Sequence, residues 1–284
     1  MNIFEPKVLL LMTDLHMVRG EFEKLNVCVI IPTYNNAGTL RQVLTDVNEY
    51  TSQIILVNDG STDETRSIAE EFPLIALISY DQNQGKGWAL RQGFAEARSR
   101  NFRYAIAMDS DGQHFASDLP RFLEKVAVLP DALIIGSRNM GQASVPGKSS
   151  FGHKFSNFWF KVETGIDCPD TQSGFRLYPL QPLKEIRLLT RKYELEIEVL
   201  VRLAWMGVPI ASVPISVYYA PKETRISHFR PFIDFTRISI LNTFLVVIAF
   251  LYIKPRNFIR GVFKKKTLKN FFVKNSSVRA SLTR

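Results

Sequence analysis

The chain has 284 residues, 46% of them hydrophobic and 22% charged, enough for a large core and incompatible with disorder as a whole-chain state. Its net charge of +9 is concentrated: from Lys254 onward there are ten basic residues and no acidic one, leaving 26 basic against 27 acidic residues before it. A neutral body therefore carries a basic tail of the kind that meets anionic lipid or nucleic acid. Two cysteines, Cys28 and Cys168, lie far apart with no CxxC spacing, which argues against a disulfide framework or a cysteine zinc site and suits a reducing compartment.

Residues 1–24 precede the first strand signal as an extension. Val8 to Met12 is a five-residue apolar stretch, too short for the apolar segment of a secretion signal, so the body is expected to stay in the cytoplasm. Val27 to Pro32 is a compact apolar strand, Ala37 to Tyr50 a helix, Gln53 to Asn58 a second strand, Asp63 to Phe72 a helix and Leu74 to Tyr80 a third strand. The period then repeats, with a helix from Gly87 to Asn101, a strand from Tyr104 to Met108, a helix from Ser117 to Leu129 and a strand from Ala132 to Gly136. Strand and helix in alternation predict a mostly parallel α/β sheet flanked by helices, of Rossmann-like type. Such sheets bind ligands at the carboxyl ends of their strands.

Those ends are rich in polar residues. Pro32-Thr33-Tyr34-Asn35-Asn36 follows the first strand, Asp59-Gly60-Ser61-Thr62-Asp63 the second, and Asp109-Ser110-Asp111-Gly112-Gln113-His114 the fourth. Asp109, Asp111 and Gln113 alternate in an extended turn and can turn three oxygen donors to one side. Hard ions such as Mg²⁺ or Mn²⁺ take oxygen ligands and share their shell with phosphates. Asp59 stands where a carboxylate accepts hydrogen bonds from a ligand, or caps the next helix. In Asn83-Gln84-Gly85-Lys86-Gly87 two glycines allow close backbone approach and a lysine offers positive charge. Gly136-Ser137-Arg138-Asn139 and Asp170-Thr171-Gln172-Ser173-Gly174-Phe175-Arg176 carry arginines, whose planar fork suits phosphate, or closes a loop by pairing with a nearby carboxylate.

From about Val27 to Ser227 the order and spacing of these motifs resemble the inverting GT-A glycosyltransferases of family 2, and within them the polyprenyl-phosphate sugar synthases of the dolichol-phosphate mannose synthase type. The resemblance implies that Pro32, Tyr34, Asn35, Asp59, Lys86 and Asp109 meet a UDP- or GDP-linked nucleotide sugar, and that Asp109, Asp111 and Gln113 form the DxD-type metal site. It implies an acceptor or diphosphate site at Arg138, Ser173 and Arg176, with Arg225 and Ser227 as a loosely matching Arg-x-Ser phosphate loop that lacks the usual glycine and lysine. Asp170 is the implied general base, with Glu196 second. Glu194, Glu196 and Glu198 share a helix-like segment where glutamate ordinarily faces solvent. A polyprenyl phosphate is already ionised and needs no strong base, whereas a hydroxyl acceptor on a lipid or glycan intermediate needs one.

Ile238 to Ile253 is sixteen residues without a charge, between Arg237 and the pair Lys254 and Arg256. At about 24 Å of helix it falls short of the roughly 30 Å hydrocarbon core, and basic residues on both flanks favour an interfacial or re-entrant helix on anionic lipid; the alternative is a buried core helix with a solvated tail. The expected organisation is residues 1–24 as extension, 25–228 as the GT-A domain, 229–256 as a membrane-associated helix and 257–284 as basic tail. The expected activity is metal-dependent, inverting transfer of one sugar at the cytoplasmic face of a membrane, with no nucleic acid among the partners. A non-catalytic nucleotide-sugar or lipid-binding adaptor is the alternative from another class.

Overall fold

A computed structural model describes residues 6–138, 147–219 and 230–258. Helix α1 (Pro6–Leu25) precedes strand β1 (Val27–Thr33), and α2 (Ala37–Tyr50), β2 (Ile54–Asp59), α3 (Thr65–Glu70), β3 (Ala76–Tyr80), α4 (Lys86–Ser99) and β4 (Tyr104–Ala107) follow in strict alternation. Next come α5 (Leu119–Val128), β5 (Leu133–Arg138), α6 (Gly147–Thr164), β6 (Arg176–Pro179), α7 (Leu180–Lys184), α8 (Glu194–Trp205), β7 (Ile210–Ile215) and α9 (Pro231–Ile248), which runs on through a π-helical turn, Ala249–Ile253. The five expected strands and four expected helices all form, with ends shifted by a few residues. Strands β6 and β7 and helix α6 went unread.

The seven strands lie in the order β3-β2-β1-β4-β6-β5-β7. All pairings are parallel except the two made by β6, which is antiparallel to β4 and to β5. The period-two geometry of a strand divides its side chains between two cores. Val27, Val29 and Ile31 face the layer built from α1, α2 and α5, with Phe22, Leu40, Leu44 and Phe122 buried there. Cys28 and Ile30 face the opposite layer, with Leu90 and Phe94 of α4 and Leu200 of α8. Residues Leu40, Val43, Leu44 and Val47 recur at helical spacing and form the buried stripe of α2.

Helix α9 does not stand alone. It packs against α6 and α8, burying Asp234, Asn242, Leu245 and Ala249 together with Ile253 of the π-helical turn, while Phe232, Ile240, Phe244 and Leu251 remain exposed. The charge-free stretch is therefore neither a core helix nor a detached span.

Helix α4 approaches β1 so closely that a β-carbon on Gly93 would lie 2.5 Å from Ile30 Cγ2. Ile30 is β-branched and fully buried, so it has little room to yield. Gly93→Ala is expected to destabilise the fold by about 1–2 kcal/mol net, because overpacking outweighs the gain in helix propensity; urea unfolding of the two proteins measures it.

Candidate active site

Strands β1, β2 and β4 run parallel, so the segments that follow them open on one edge of the sheet. Because β6 runs the other way, its start at Arg176, paired with Ala107 and Ile135, reaches the same edge. Residues 170–175 are thereby brought beside Asp109.

The first two loops lock together through side chains. Asn35, in the left-handed region at φ 49°, donates its N–H to Ser61 Oγ at 3.0 Å, and its Oδ1 accepts the Thr62 N–H at 2.8 Å. Asp63 accepts the Ala37 N–H at 3.1 Å, so the start of α2 is capped from the neighbouring loop. Asn36 Nδ2 donates to Ser110 Oγ at 2.6 Å, tying this pair of loops to the one after β4. Asp59 is 2% exposed, and its carboxylate accepts the N–H groups of Gln84 and Gly85, each at 2.7 Å, and Asn83 Nδ2 at 3.0 Å. It caps no helix; it clamps residues 83–85 over the edge. Gly60, at φ +71°, has no space for a β-carbon, which would stand 2.6 Å from the Asn83 nitrogen.

Lys86, the first residue of α4, projects from this clamped loop. Its Nζ lies 2.7 Å from Asp109 Oδ1, 3.0 Å from Asp109 Oδ2 and 3.3 Å from Glu196 Oε2. Burial disfavours the charge on Lys86, but Asp109 and Glu196 outweigh it and keep the ammonium protonated above the usual lysine range. Burial likewise works against the Asp109 carboxylate, and Lys86 overcomes it, holding Asp109 below the ordinary range. Gly174 closes the cluster from the far side: a β-carbon there would be 2.8 Å from Lys86 Nζ and 2.9 Å from Asp109 Oδ2.

After β4 the chain turns at Gly112 (φ +73°), and the Gln113 N–H donates to Asp111 Oδ1 at 3.0 Å. Gln113 O accepts the Tyr218 N–H at 2.9 Å, which braces the turn against the segment after β7. His114 packs on Phe175, ring centroids 5.1 Å apart, and burial pushes its pKa down to about 4, leaving it neutral. Among the described residues no three His, Cys, Asp or Glu side chains gather as a closed metal cage. The donor set of Asp109, Asp111 and Gln113, two carboxylates and one amide, is of the oxygen type that Mg²⁺ or Mn²⁺ takes while sharing its shell with phosphate and water, and the ammonium on Asp109 shows a cation already accommodated at that carboxylate.

On the other flank Asp170 is fully buried. It accepts Arg138 Nε at 2.7 Å, an Arg138 terminal nitrogen at 2.9 Å and the Arg138 backbone N–H at 3.2 Å, and His153 Nε2 stands 3.6 Å away. Burial alone would raise its pKa, but the hydrogen bonds and charge of Arg138 hold it below the usual value. A carboxylate so held is a poor proton acceptor. Arg176 departs further from its expected role in gripping phosphate. Its guanidinium is fully buried and donates to three backbone carbonyls, of Ser173 at 2.6 Å, Glu196 at 2.7 Å and Thr171 at 2.9 Å. The guanidinium is turned inward to the backbone and has no exposed surface at the edge.

The helix glutamates are also not where helix propensity puts them. Glu194, Glu196 and Glu198 are all buried. Glu198 accepts the N–H groups of Leu189 and Thr190 and pairs with Arg202 at 2.7 Å, whereas Glu196 reaches the Lys86 cluster. Pro32 is buried inside β1 opposite Val57; Tyr34 sits half-buried after it, and Ser173 is buried with no partner for its hydroxyl among the described residues. Arg225 and Ser227 lie outside the described residues, as does the tail beyond residue 258. The role of Gly174 was legible only as one letter of its motif, and that of Asn83 only as the start of a glycine-bearing loop.

A model of Glycosyl transferase family 2 matches residues 28–187. The chain is 30% identical over 201 residues to the polyprenol monophosphomannose synthase of Mycolicibacterium smegmatis, covering 66% of this chain and 76% of that protein. It is 28% identical over 227 residues to the dolichyl-phosphate beta-glucosyltransferase of Saccharomyces cerevisiae, covering 68% and 67%. It is also 28% identical over 198 residues to glycosyltransferase AglJ of Haloferax volcanii, where it spans 64% of that protein's length. In fold it is similar to glucosyl-3-phosphoglycerate synthase from Mycobacterium tuberculosis in complex with Mn²⁺, UDP and phosphoglyceric acid, with a TM-score of 0.63 at 17% identity over 83% of this chain and 82% of that one.

Replacing Arg138 with Met is expected to destabilise the protein by about 3–5 kcal/mol at neutral pH, by stranding a buried Asp170 charge. The pH dependence separates the two proteins. In the parent, Asp170 contributes stability above the unfolded carboxylate pKa near 4, lost as pH falls through its lowered folded value; in Arg138→Met the unpaired carboxyl is raised, so acidification restores stability. Thermal unfolding from pH 3.5 to 7.5 measures both slopes.

Proposed function

We propose that this chain, a glycosyltransferase that belongs to glycosyl transferase family 2, transfers one sugar from a UDP- or GDP-linked donor to a membrane-held polyprenyl phosphate, with inversion at the anomeric carbon. The observation that carries the choice of acceptor is the commitment of Asp170 to Arg138. The carboxylate expected as base is buried and held ionised, and Glu196 is engaged by Lys86. A hydroxyl acceptor needs a base at the moment of attack, whereas an ionised phosphate oxygen does not. The polyprenol and dolichyl-phosphate names of the relatives support the same acceptor class.

In this reading the nucleotide lies over the ends of β1 and β2, near Tyr34, Asn35 and the loop that Asp59 clamps. Asp109, Asp111 and Gln113 would hold Mg²⁺ or Mn²⁺, which supplies charge neutralisation to the departing nucleoside diphosphate. Arg138, 16% exposed and oriented by Asp170, offers its positive charge to the acceptor phosphate. One acceptor oxygen attacks the anomeric carbon on the face opposite the diphosphate, the bond to the diphosphate breaks, and the configuration inverts. The buried Arg176 contributes by holding residues 171–173 in place.

Within the helix from Phe232 to Phe258 an 18-residue window has a mean hydropathy of 1.9, and only 22% of that window is buried. One side is fastened to the body along its length, with Phe235 against Phe155 at 5.4 Å between ring centroids. A helix attached in this way lies in the membrane plane rather than crossing it. Lys254 over Phe250, at 3.8 Å, and Arg256 over Tyr252, at 5.4 Å, put positive charge at its far end, and the basic tail adds attraction to the anionic cytoplasmic leaflet.

Two measurements test this. Nucleoside-diphosphate release from UDP and GDP sugars with Mn²⁺ is expected to require a polyprenyl phosphate and to fall at least about 100-fold in Asp111→Ala; release indifferent to that lipid would assign another acceptor. Phe244→Asp combined with Leu251→Asp is expected to abolish flotation with anionic vesicles while turnover on a detergent-held polyprenyl phosphate persists. Retained flotation would remove α9 from the membrane contact.

A further inference from the structure

We infer that the Lys86 ammonium is a resident counter-ion, which holds the Asp109 carboxylate closed to a lone divalent cation and yields it when the cation arrives with a nucleoside diphosphate, and that Glu196 is the seat to which Lys86 withdraws. This rests on the proposed sugar-transfer function and assigns Glu196 as a positioning residue in place of a general base.

The Lys86 ammonium donates a hydrogen bond to Asp109 Oδ2 at 3.0 Å and also lies 2.7 Å from Asp109 Oδ1 and 3.3 Å from Glu196 Oε2. Its charge is directed to these two carboxylates, not to a phosphate, while it stays there. A divalent cation on Asp109 would share a carboxylate with an ammonium, and the repulsion between them is strong where solvent is scarce; the Lys86 side chain is 15% exposed. One cation must leave. The free direction is set by the packing. Gly174 blocks one side, because even a β-carbon there would be 2.8 Å from Nζ and 3.3 Å from Glu196 Oε1. Glu196 Oε1 is buried without a hydrogen-bond partner among the described residues, an acceptor already in place for a donor released from Asp109.

The same displacement couples the two ligands. Lys86 begins α4 directly after residues 83–85, which Asp59 clamps at the nucleotide end of the sheet. A diphosphate lying beside this loop accepts the donors that Asp109 gives up, so the metal promotes diphosphate binding and the diphosphate promotes metal binding by the same factor. Loading the two as one complex keeps a bare metal from occupying the site without its donor.

The test is Mn²⁺ binding to the full chain by electron paramagnetic resonance, alone and with saturating UDP or GDP, in the parent, Lys86→Met and Glu196→Gln. Without nucleotide, Lys86→Met is expected to bind Mn²⁺ about tenfold more tightly than the parent, and the factor by which nucleotide strengthens Mn²⁺ binding is expected to fall at least tenfold. Glu196→Gln, which removes the second seat, is expected to move both quantities the other way. If Lys86 acted only as a nearby charge, Lys86→Met would tighten Mn²⁺ equally with and without nucleotide. That unchanged coupling factor, or weaker Mn²⁺ binding by Lys86→Met alone, overturns the inference and leaves the function standing. A parent protein that binds neither nucleotide with Mn²⁺ overturns both.

Discussion

The buried guanidinium of Arg176 joins the segment before β6 to the start of α8. It begins the one antiparallel strand, between β4 and β5, and its donors end on backbone carbonyls of residues 171, 173 and 196. Three backbone carbonyls from two separate segments are thus gathered by a single side chain. The consequence is positional: Asp170 and Gly174 on one segment, and Glu196 at the start of α8, are held in register with the turn after β4. Arg176 thereby helps set the distance between the loop and the helix at which Lys86, Asp109, Glu196 and Gly174 meet.

Around that frame, charge is arranged in self-neutralised groups. Lys86 is shared by two carboxylates, and Arg138 is bound to one. Each group is sheltered enough that its pairing is strong, and each lies at the edge where a diphosphate or a phosphate would arrive. Pairs of this kind contribute little net stability once desolvation is counted, but they keep charged side chains ionised and oriented before a ligand binds. Catalysis by preorganised charge asks for that condition.

Much of the fold was legible in the chain because alternation of apolar runs with helical stripes is a local signal. Val27 to Pro32 and Gln53 to Asn58 read as buried strands from their β-branched content, and the strands that form, β1 and β2, are buried throughout. β6 escaped because its four residues, Arg176 to Pro179, begin with a charge that no strand pattern would bury. β7 has a proline and partial exposure. The glutamates of α8 were misplaced for a related reason. Propensity and charge put them in solvent, whereas the tertiary structure gave Glu196 a lysine and Glu198 two backbone amides and an arginine.

The sequence alone determined the sheet class, the edge on which polar residues gather, the family to which their order belongs and the separation of a neutral body from a basic end. These follow from periodicity and from motifs whose residues are close in the chain. Only the tertiary structure decided what each charged residue does there. It put the Arg176 guanidinium on backbone carbonyls, Asp170 on Arg138 and Asp59 on residues 83–85, and it fastened one face of α9 to the body. Those outcomes depend on contacts between residues as far apart as Lys86 and Glu196 and on which groups lose their water, and neither is written in local spacing.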